Sequence, residues 1–270
     1  MDNKIKQGFH RITNEEYHGH KSSLSHSGLI KILKTPAHYQ AYLNGEKKQT
    51  PAMAFGSAFH TAVLEPSVFE SEYIVAPNVD KRTKAGKVQW EEFKEMANGK
   101  KLIDESDREK LMRMNDAVLA HPEAAKILSS GIAELSGFWE NVRGFMCKIR
   151  PDWLPGNGVI VDLKSCDDAS EYAFSRACSN FGYHIQSAFY LDGATEITGQ
   201  IHDTFVFIAV EKEPPYAVAV YYASNDMVAA GREGVEKALN IYHECITKNE
   251  WPGYPSEAKE LNLPYWHKGE

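Results

Sequence analysis

The chain has 270 residues, of which 43% are hydrophobic, 25% charged and 11% aromatic, enough apolar material for one large globular core and too much for a disordered polymer. An excess of Asp and Glu leaves a formal net charge of −7, which argues against indiscriminate nucleic-acid binding but leaves room for a local basic channel beside an acidic site. Cys147, Cys166, Cys178 and Cys245 have no CxxC spacing and read as reduced thiols rather than a metal or disulfide set; with no apolar signal region in residues 1–7 and no apolar run near the ~18 residues of a bilayer span, a cytoplasmic chain without membrane contact is expected.

Residues 24–33 predict an amphipathic helix capped by a serine. Pro36 opens a second short helix that runs to Leu43, followed by a lysine-bearing linker with Lys47 and Lys48. Ser25, Ser27 and Lys31 read either as ordinary capping with a solvated face or as contacts to a phosphate at a helix N-terminus. Residues 53–65 are almost wholly apolar or small and predict a buried helix that ends before Pro66. Gly56 and His60 share a face of it, which leaves room for a passing backbone at the glycine. The histidine is either a hydrogen-bonded core residue or a metal ligand.

Residues 80–87 form a basic polar stretch, Asp80-Lys81-Arg82-Thr83-Lys84-Ala85-Gly86-Lys87. It is either solvated surface or, in a nuclease, a track for a DNA backbone. A helix starts near Trp90, another spans 105–120 on a stripe of Leu111, Met114, Val118 and Leu119, and a short one runs over 122–128. The texture then turns to strand: 133–140 and 144–150 predict a hairpin that feeds into Asp152. A Pro-Gly-Asn-Gly turn at 155–158 reverses the chain into Val159-Ile160-Val161-Asp162-Leu163-Lys164, a β-branched strand. Alternation puts Asp162 and Lys164 on one side and Leu163 in the core. Helices follow near 172–181 and 184–195, the second with Gln186 and Tyr190 on one face. Strands at 204–210 and 217–222, a long helix at 226–248 and an aromatic tail with Trp251, Tyr254, Tyr265 and Trp266 complete the chain. This order predicts an α/β core with an N-terminal helical elaboration.

Two acids and a lysine beside a buried strand are costly unless something uses them, and a divalent metal with a phosphodiester would. The series Gly56-Ser57-Ala58-Phe59-His60, Arg150-Pro151-Asp152, Asp162-Leu163-Lys164 and Gln186-Ser187-Ala188-Phe189-Tyr190 resembles the PD-(D/E)xK nuclease superfamily. Within it, the chain is most similar to RecE-type exonucleases (exodeoxyribonuclease VIII), relatives of the RecB and phage lambda exonuclease nucleases, from Ser25 onward. One departure is Asp162, where the superfamily often has Glu.

The resemblance implies a restriction-endonuclease-like core: a mixed central sheet flanked by helices. It implies one nuclease domain over 1–270, with a helical elaboration over about 1–130, the catalytic sheet and helices over about 131–250, and a tail over 251–270. Mg²⁺, with Mn²⁺ as a substitute, would be held by His60, Asp152, Asp162 and the Leu163 carbonyl. Lys164 would orient or help deprotonate the attacking water, and Gln186 and Tyr190 would position Lys164 or a DNA phosphate. Glu134, ahead of Glu140, would support a second ion, and Arg150 would join Ser25, Ser27 and Lys31 at phosphates. The implied activity is 5′→3′ digestion of linear double-stranded DNA to mononucleotides, leaving a 3′ single strand. A ring-shaped homo-oligomer and a RecT-like single-strand annealing recombinase would be its partners. The alternatives are a Cas4-like nuclease or endonuclease of the same superfamily, an inactive nuclease fold serving as a DNA-binding or assembly module, and Asp162 with Lys164 as a plain structural ion pair.

Overall fold

A computed structural model of the chain describes residues 5–45 and 50–263. The predicted Lys47–Lys48 linker and the tail aromatics Tyr265 and Trp266 lie outside them. The first part holds β1 (Gly8–His10), α1 (Asn14–Gly19), α2 (His26–Lys34), α3 (Pro36–Asn44), α4 (Pro51–Leu64), α5 (Pro66–Glu72), β2 (Tyr73–Val75), α6 (Lys84–Ala97), β3 (Lys101–Ile103), α7 (Glu105–Ala120) and α8 (Pro122–Leu128). Local chemistry sets the helix starts. Thr13 and Glu16 form a reciprocal capping box at α1. Ser25, Thr35, Thr50, Thr83 and Asp104 each accept a backbone N–H at α2, α3, α4, α6 and α7, with Pro opening α3 and α4. Thr83 starts α6 well before Trp90, so the second half of the predicted basic loop, residues 84–87, is helix.

The second part holds β4 (Ile132–Ala133), β5 (Ser136–Glu140), β6 (Met146–Ile149), β7 (Trp153–Gly156), β8 (Val159–Cys166), α9 (Glu171–Phe181), α10 (Tyr183–Thr198), β9 (Thr204–Glu211), β10 (Val218–Tyr222) and α11 (Asn225–Lys248). The central sheet runs β10-β9-β8-β7-β4. β8 and β9 pair in parallel, with Asp162 opposite Phe207 and Lys164 opposite Ala209, and the α9–α10 crossover joins them. The other neighbours in this sheet are antiparallel. The fold is therefore the mixed α/β sheet flanked by helices that the sequence predicts.

Alternation along β8 and β9 divides the core. Ile160, Phe205, Phe207 and Ala209 face a cluster built with α2, α9, α10 and α11. Val161, Leu163, Val206, Ile208 and Val210 face another built with α4, α5 and α7. The predicted 133–150 hairpin forms as β5–β6, but it belongs to a separate sheet, β1-β5-β6. Only the two residues of β4 join the central sheet, through β7. Among the described residues, no helix is long and apolar enough to cross a membrane.

Candidate active site

Asp152 stands at the break between β6 and β7, where the chain leaves the small sheet for the central one. One carboxylate oxygen, Oδ2, accepts the Leu163 N–H of β8 at 2.7 Å. The other, Oδ1, lies 3.5 Å from His60 Nδ1, which α4 presents from the opposite core cluster. Glu134, between β4 and β5, brings Oε1 to 4.0 Å from the same nitrogen. Its backbone is left-handed, with φ +51°, an uncommon conformation for a residue with a Cβ. Its N–H donates to the Asp152 carbonyl at 3.1 Å, which fixes the two acids to each other. One donor atom from each of His60, Glu134 and Asp152 lies within 4.8 Å of the others.

Behind this trio, Asp162 is 1% exposed. Its Oδ1 accepts Gln186 Nε2 at 2.6 Å. Its Oδ2 forms an ion pair with Lys164 Nζ, so both carboxylate oxygens are engaged within the protein. Lys164 Nζ also sits 4.7 Å from the centroid of the Tyr183 ring. Tyr183, Gln186 and Tyr190 follow at i, i+3 and i+7, one stripe of α10 facing the strand acids. Tyr183 escaped the sequence reading although its spacing from Gln186 was the available signal.

Burial and charge set the protonation states. Burial pulls the His60 imidazolium down, but Asp152 and Glu134 together raise its pKa to about 9. Burial, and then the Asp152 charge, pushes Glu134 up to about 7. Burial works against ionised Asp152 too, yet the His60 charge and hydrogen bond, Lys164 and the Leu163 amide hold it below the usual carboxylate range. Asp162 is pushed up to about 6, mainly by burial, with Lys164 opposing. Burial disfavours the Lys164 ammonium, and Asp162 and Asp152 more than restore it. In this arrangement Lys164 is a cation that donates and stabilises negative charge; it has no lone pair with which to take a proton.

A cavity of about 620 Å³ opens over His60, Glu134 and Asp152, and Tyr190, Ser25 and Ser27 also line it. Asp162 and Lys164 are not in its wall. The structure regroups the predicted ligands: Glu134 joins His60 and Asp152, whereas Asp162 is tied to Lys164 and Gln186. Leu163, whose carbonyl the resemblance assigns to the metal, gives its N–H to Asp152. Gln186 bonds Asp162 directly and reaches Lys164 only through it. Glu140 is exposed at the end of β5, away from the trio. Arg150 is engaged by Glu134 at 2.7 Å and Ser136 at 3.1 Å, and its 13% exposed side chain lines the same cavity. Lys31 lies exposed in the last turn of α2, at the opposite end from Ser25. At Gly56 no close approach exists; a Cβ would meet open space.

The family described as a PDDEXK-like domain of unknown function (DUF3799) matches residues 25–263. The chain belongs to this family. Two solved structures resemble this PDDEXK-like chain. One, from Eubacterium rectale and provisionally named an exonuclease, is 16% identical with a TM-score of 0.62, covering 92% of this chain and 97% of the other. The second, a phage-related exonuclease from Haemophilus somnus 129PT, is also 16% identical, covering 87% and 100%, with a TM-score of 0.38. Comparison with curated proteins gives no match. The matched range contains Asp152, Asp162 and Lys164, and the trio around Asp152 suits a divalent ion. Two carboxylates supply hard oxygen donors and an imidazole a borderline nitrogen, and the Asp162–Lys164 ion pair lies behind them.

Proposed function

We propose that this chain is a metal-dependent exodeoxyribonuclease that hydrolyses phosphodiester bonds in DNA. The observation that carries the reading is the convergence of His60, Glu134 and Asp152 in the wall of an open cavity, backed by the buried Asp162–Lys164 pair. His60, Glu134 and Asp152 would hold the ion, with the buried Asp162–Lys164 pair behind them. Oxygen-rich ligation favours Mg²⁺, and the imidazole makes Mn²⁺ an effective substitute. A bound ion supplies Lewis acidity and an activated water. Lys164 contributes a fixed positive charge for the oxyanion that develops as the phosphorus is attacked. Gln186 and Tyr183 hold that charge pair in place, and Tyr190 closes one side of the cavity.

Resemblance to RecE-type enzymes supports the finer assignment: 5′→3′ digestion of linear duplexes to mononucleotides, with a 3′ strand left for annealing. The name borne by the Eubacterium rectale protein agrees with an exonuclease. Kinship alone supports a ring-shaped homo-oligomer and hand-off to an annealing recombinase, and the unpaired cysteines support a cytoplasmic setting.

The test uses linear duplexes labelled at either end and a covalently closed circle, each with Mg²⁺ or EDTA. We expect metal-dependent release of mononucleotides from 5′ ends and an intact circle. Cutting of the circle would overturn the exonuclease assignment, and full activity in EDTA would overturn the metal centre.

A further inference from the structure

The net charge of −7 is unevenly distributed. Residues 79–101 carry seven Lys and Arg against four acids, a local +3, so the remaining chain stands at −10. Within that segment the C-terminal half is balanced, and Lys94 pairs with Glu91 at 2.6 Å. The excess lies at its start, where Lys81, Arg82, Lys84 and Lys87 face Asp80 alone.

These charges are held in a built loop. Asp80 accepts the Arg82 backbone N–H at 3.0 Å and chelates its guanidinium at 2.9 and 3.0 Å. Thr83 donates to the Asp80 carbonyl at 3.0 Å and caps Gly86 at 2.9 Å. The turn closes so tightly on α6 that a Cβ at Gly86 would fall 2.1 Å from the Asp80 carbonyl oxygen. Lys81 is pinned over the Trp90 ring, 3.0 Å from its centroid, a contact that fixes the ammonium without neutralising it. Lys84 and Lys87 are exposed, share a face of α6, and pair with no carboxylate among the described residues.

The lobe is rooted at the catalytic cavity. β2 and β3, which flank α6 in the chain, pair in parallel, and their Tyr73 and Lys101 line the same cavity as His60 and Asp152. The basic turn follows β2 closely in the chain, and Lys81 and Trp90 line a neighbouring cavity together with Val75 of β2, so the cation cluster is tied to the strand pair that borders the His60–Asp152 cavity. We infer that the Lys81–Lys84–Lys87 face is a docking surface for the phosphate backbone of the DNA being degraded. The inference rests on the nuclease reading above. Phosphates positioned this way confer affinity and orientation without sequence preference.

The test is binding of a labelled 30-base-pair duplex by the full chain and by Lys84→Glu/Lys87→Glu, across a salt series with Ca²⁺ in place of Mg²⁺. Two lost phosphate contacts should flatten the slope of log affinity against log salt by about 1.8 and weaken binding on the order of tenfold or more at 0.15 M salt. Acidic residues suit the first turn of a helix, so the variant's melting temperature should not fall, which separates the effect from unfolding. Unchanged affinity and slope in this variant would overturn the docking surface. Hydrolysis of bis-p-nitrophenyl phosphate by the wild-type chain with Mn²⁺ reads the catalytic centre separately. Hydrolysis with a docking variant that binds normally would leave the nuclease reading standing and remove only this inference. A wild-type chain that neither cleaves the diester nor binds duplex would remove both.

Discussion

Gln186 Nε2 on α10 donates to Asp162 Oδ1 on β8 at 2.6 Å, so a neutral amide from the helical layer fixes the orientation of a carboxylate that is almost wholly removed from water. Through Asp162 it also fixes Lys164, whose ammonium shares the other oxygen. Gln186 is a positioning residue for a charge pair rather than a group that meets substrate.

Gln186→Ala should therefore lower activity by about 10–100-fold, the usual range for losing a hydrogen bond to a metal-site group. Gln186→Glu should be worse, because it sets a second acid against Asp162 in a dry site. Steady-state kinetics on duplex DNA check this, and equal activity of the Ala and Glu variants would contradict the hydrogen-bond role.

Lys164→Met should reduce turnover by about 10²–10³-fold, the scale of losing one charge-stabilising donor. It should also destabilise the metal-free protein by about 3–5 kcal/mol near neutral pH, since a buried Asp162 is left unpaired. The Asp162 carboxyl already titrates at about 6 with Lys164 present, and without the cation it should titrate higher. A raised carboxyl destabilises once pH exceeds its unfolded value, so the deficit should shrink as pH falls and Asp162 takes up a proton. Adding Asp162→Asn should recover much of the stability and none of the activity. Urea denaturation at pH 5 and pH 8 measures both effects, and a deficit independent of pH would sink the ion-pair account.

The strands and helices that carry the site were legible because each is long enough to show a period. β8 alternates, α10 repeats on one face, and serine or threonine caps mark the helix starts. The short elements β1, β2, β3, β4 and β7, of two to four residues, are too brief for periodicity and are set by tertiary pairing. This is why the separate β1-β5-β6 sheet was invisible. The residue types of the site were legible as well, but their partnerships were not. Glu134 reaches the metal trio through a left-handed backbone that no local pattern announces. Arg150, read as a phosphate contact, is held in the cavity wall by that same Glu134, a pairing no spacing announces.

The α10–α11 contact also bears on the site. A Cβ at Gly231 of α11 would fall 2.0 Å from the His184 carbonyl oxygen and 2.9 Å from the Ala188 Cβ, on the turn of α10 that carries Gln186. Backbone cannot step aside as a side chain can. Gly231→Ala should cost about 1–3 kcal/mol or more by overpacking and reduce activity by displacing Gln186 from Asp162. At Gly234 the obstruction is the Ile185 side chain, at 2.8–2.9 Å, which is able to change rotamer, so Gly234→Ala should be milder. Thermal melts and kinetics of the two variants give the comparison, and the reverse order would contradict the backbone contact.

Metal and proton should compete at His60. With a pKa raised to about 9 by Asp152 and Glu134, the metal-free imidazole carries a proton at pH 7, and an imidazolium cannot ligate. Glu134, pushed up to about 7, is then only partly ionised. Metal binding at pH 7 should accordingly release about one proton from His60 plus a fraction from Glu134, and apparent affinity should climb with pH until about 9. The stability linkage runs the same way. A raised histidine pKa stabilises the metal-free fold below its unfolded value near 6.5, and that contribution is lost as pH rises through the folded value. The melting temperature of the metal-free chain should therefore fall between pH 6.5 and 9, while the increment produced by Mn²⁺ grows. Calorimetric titration in buffers of differing ionisation enthalpy counts the protons directly. His60→Asn should abolish most of the release, and wild-type binding without proton release at pH 7 would show that His60 is not a ligand.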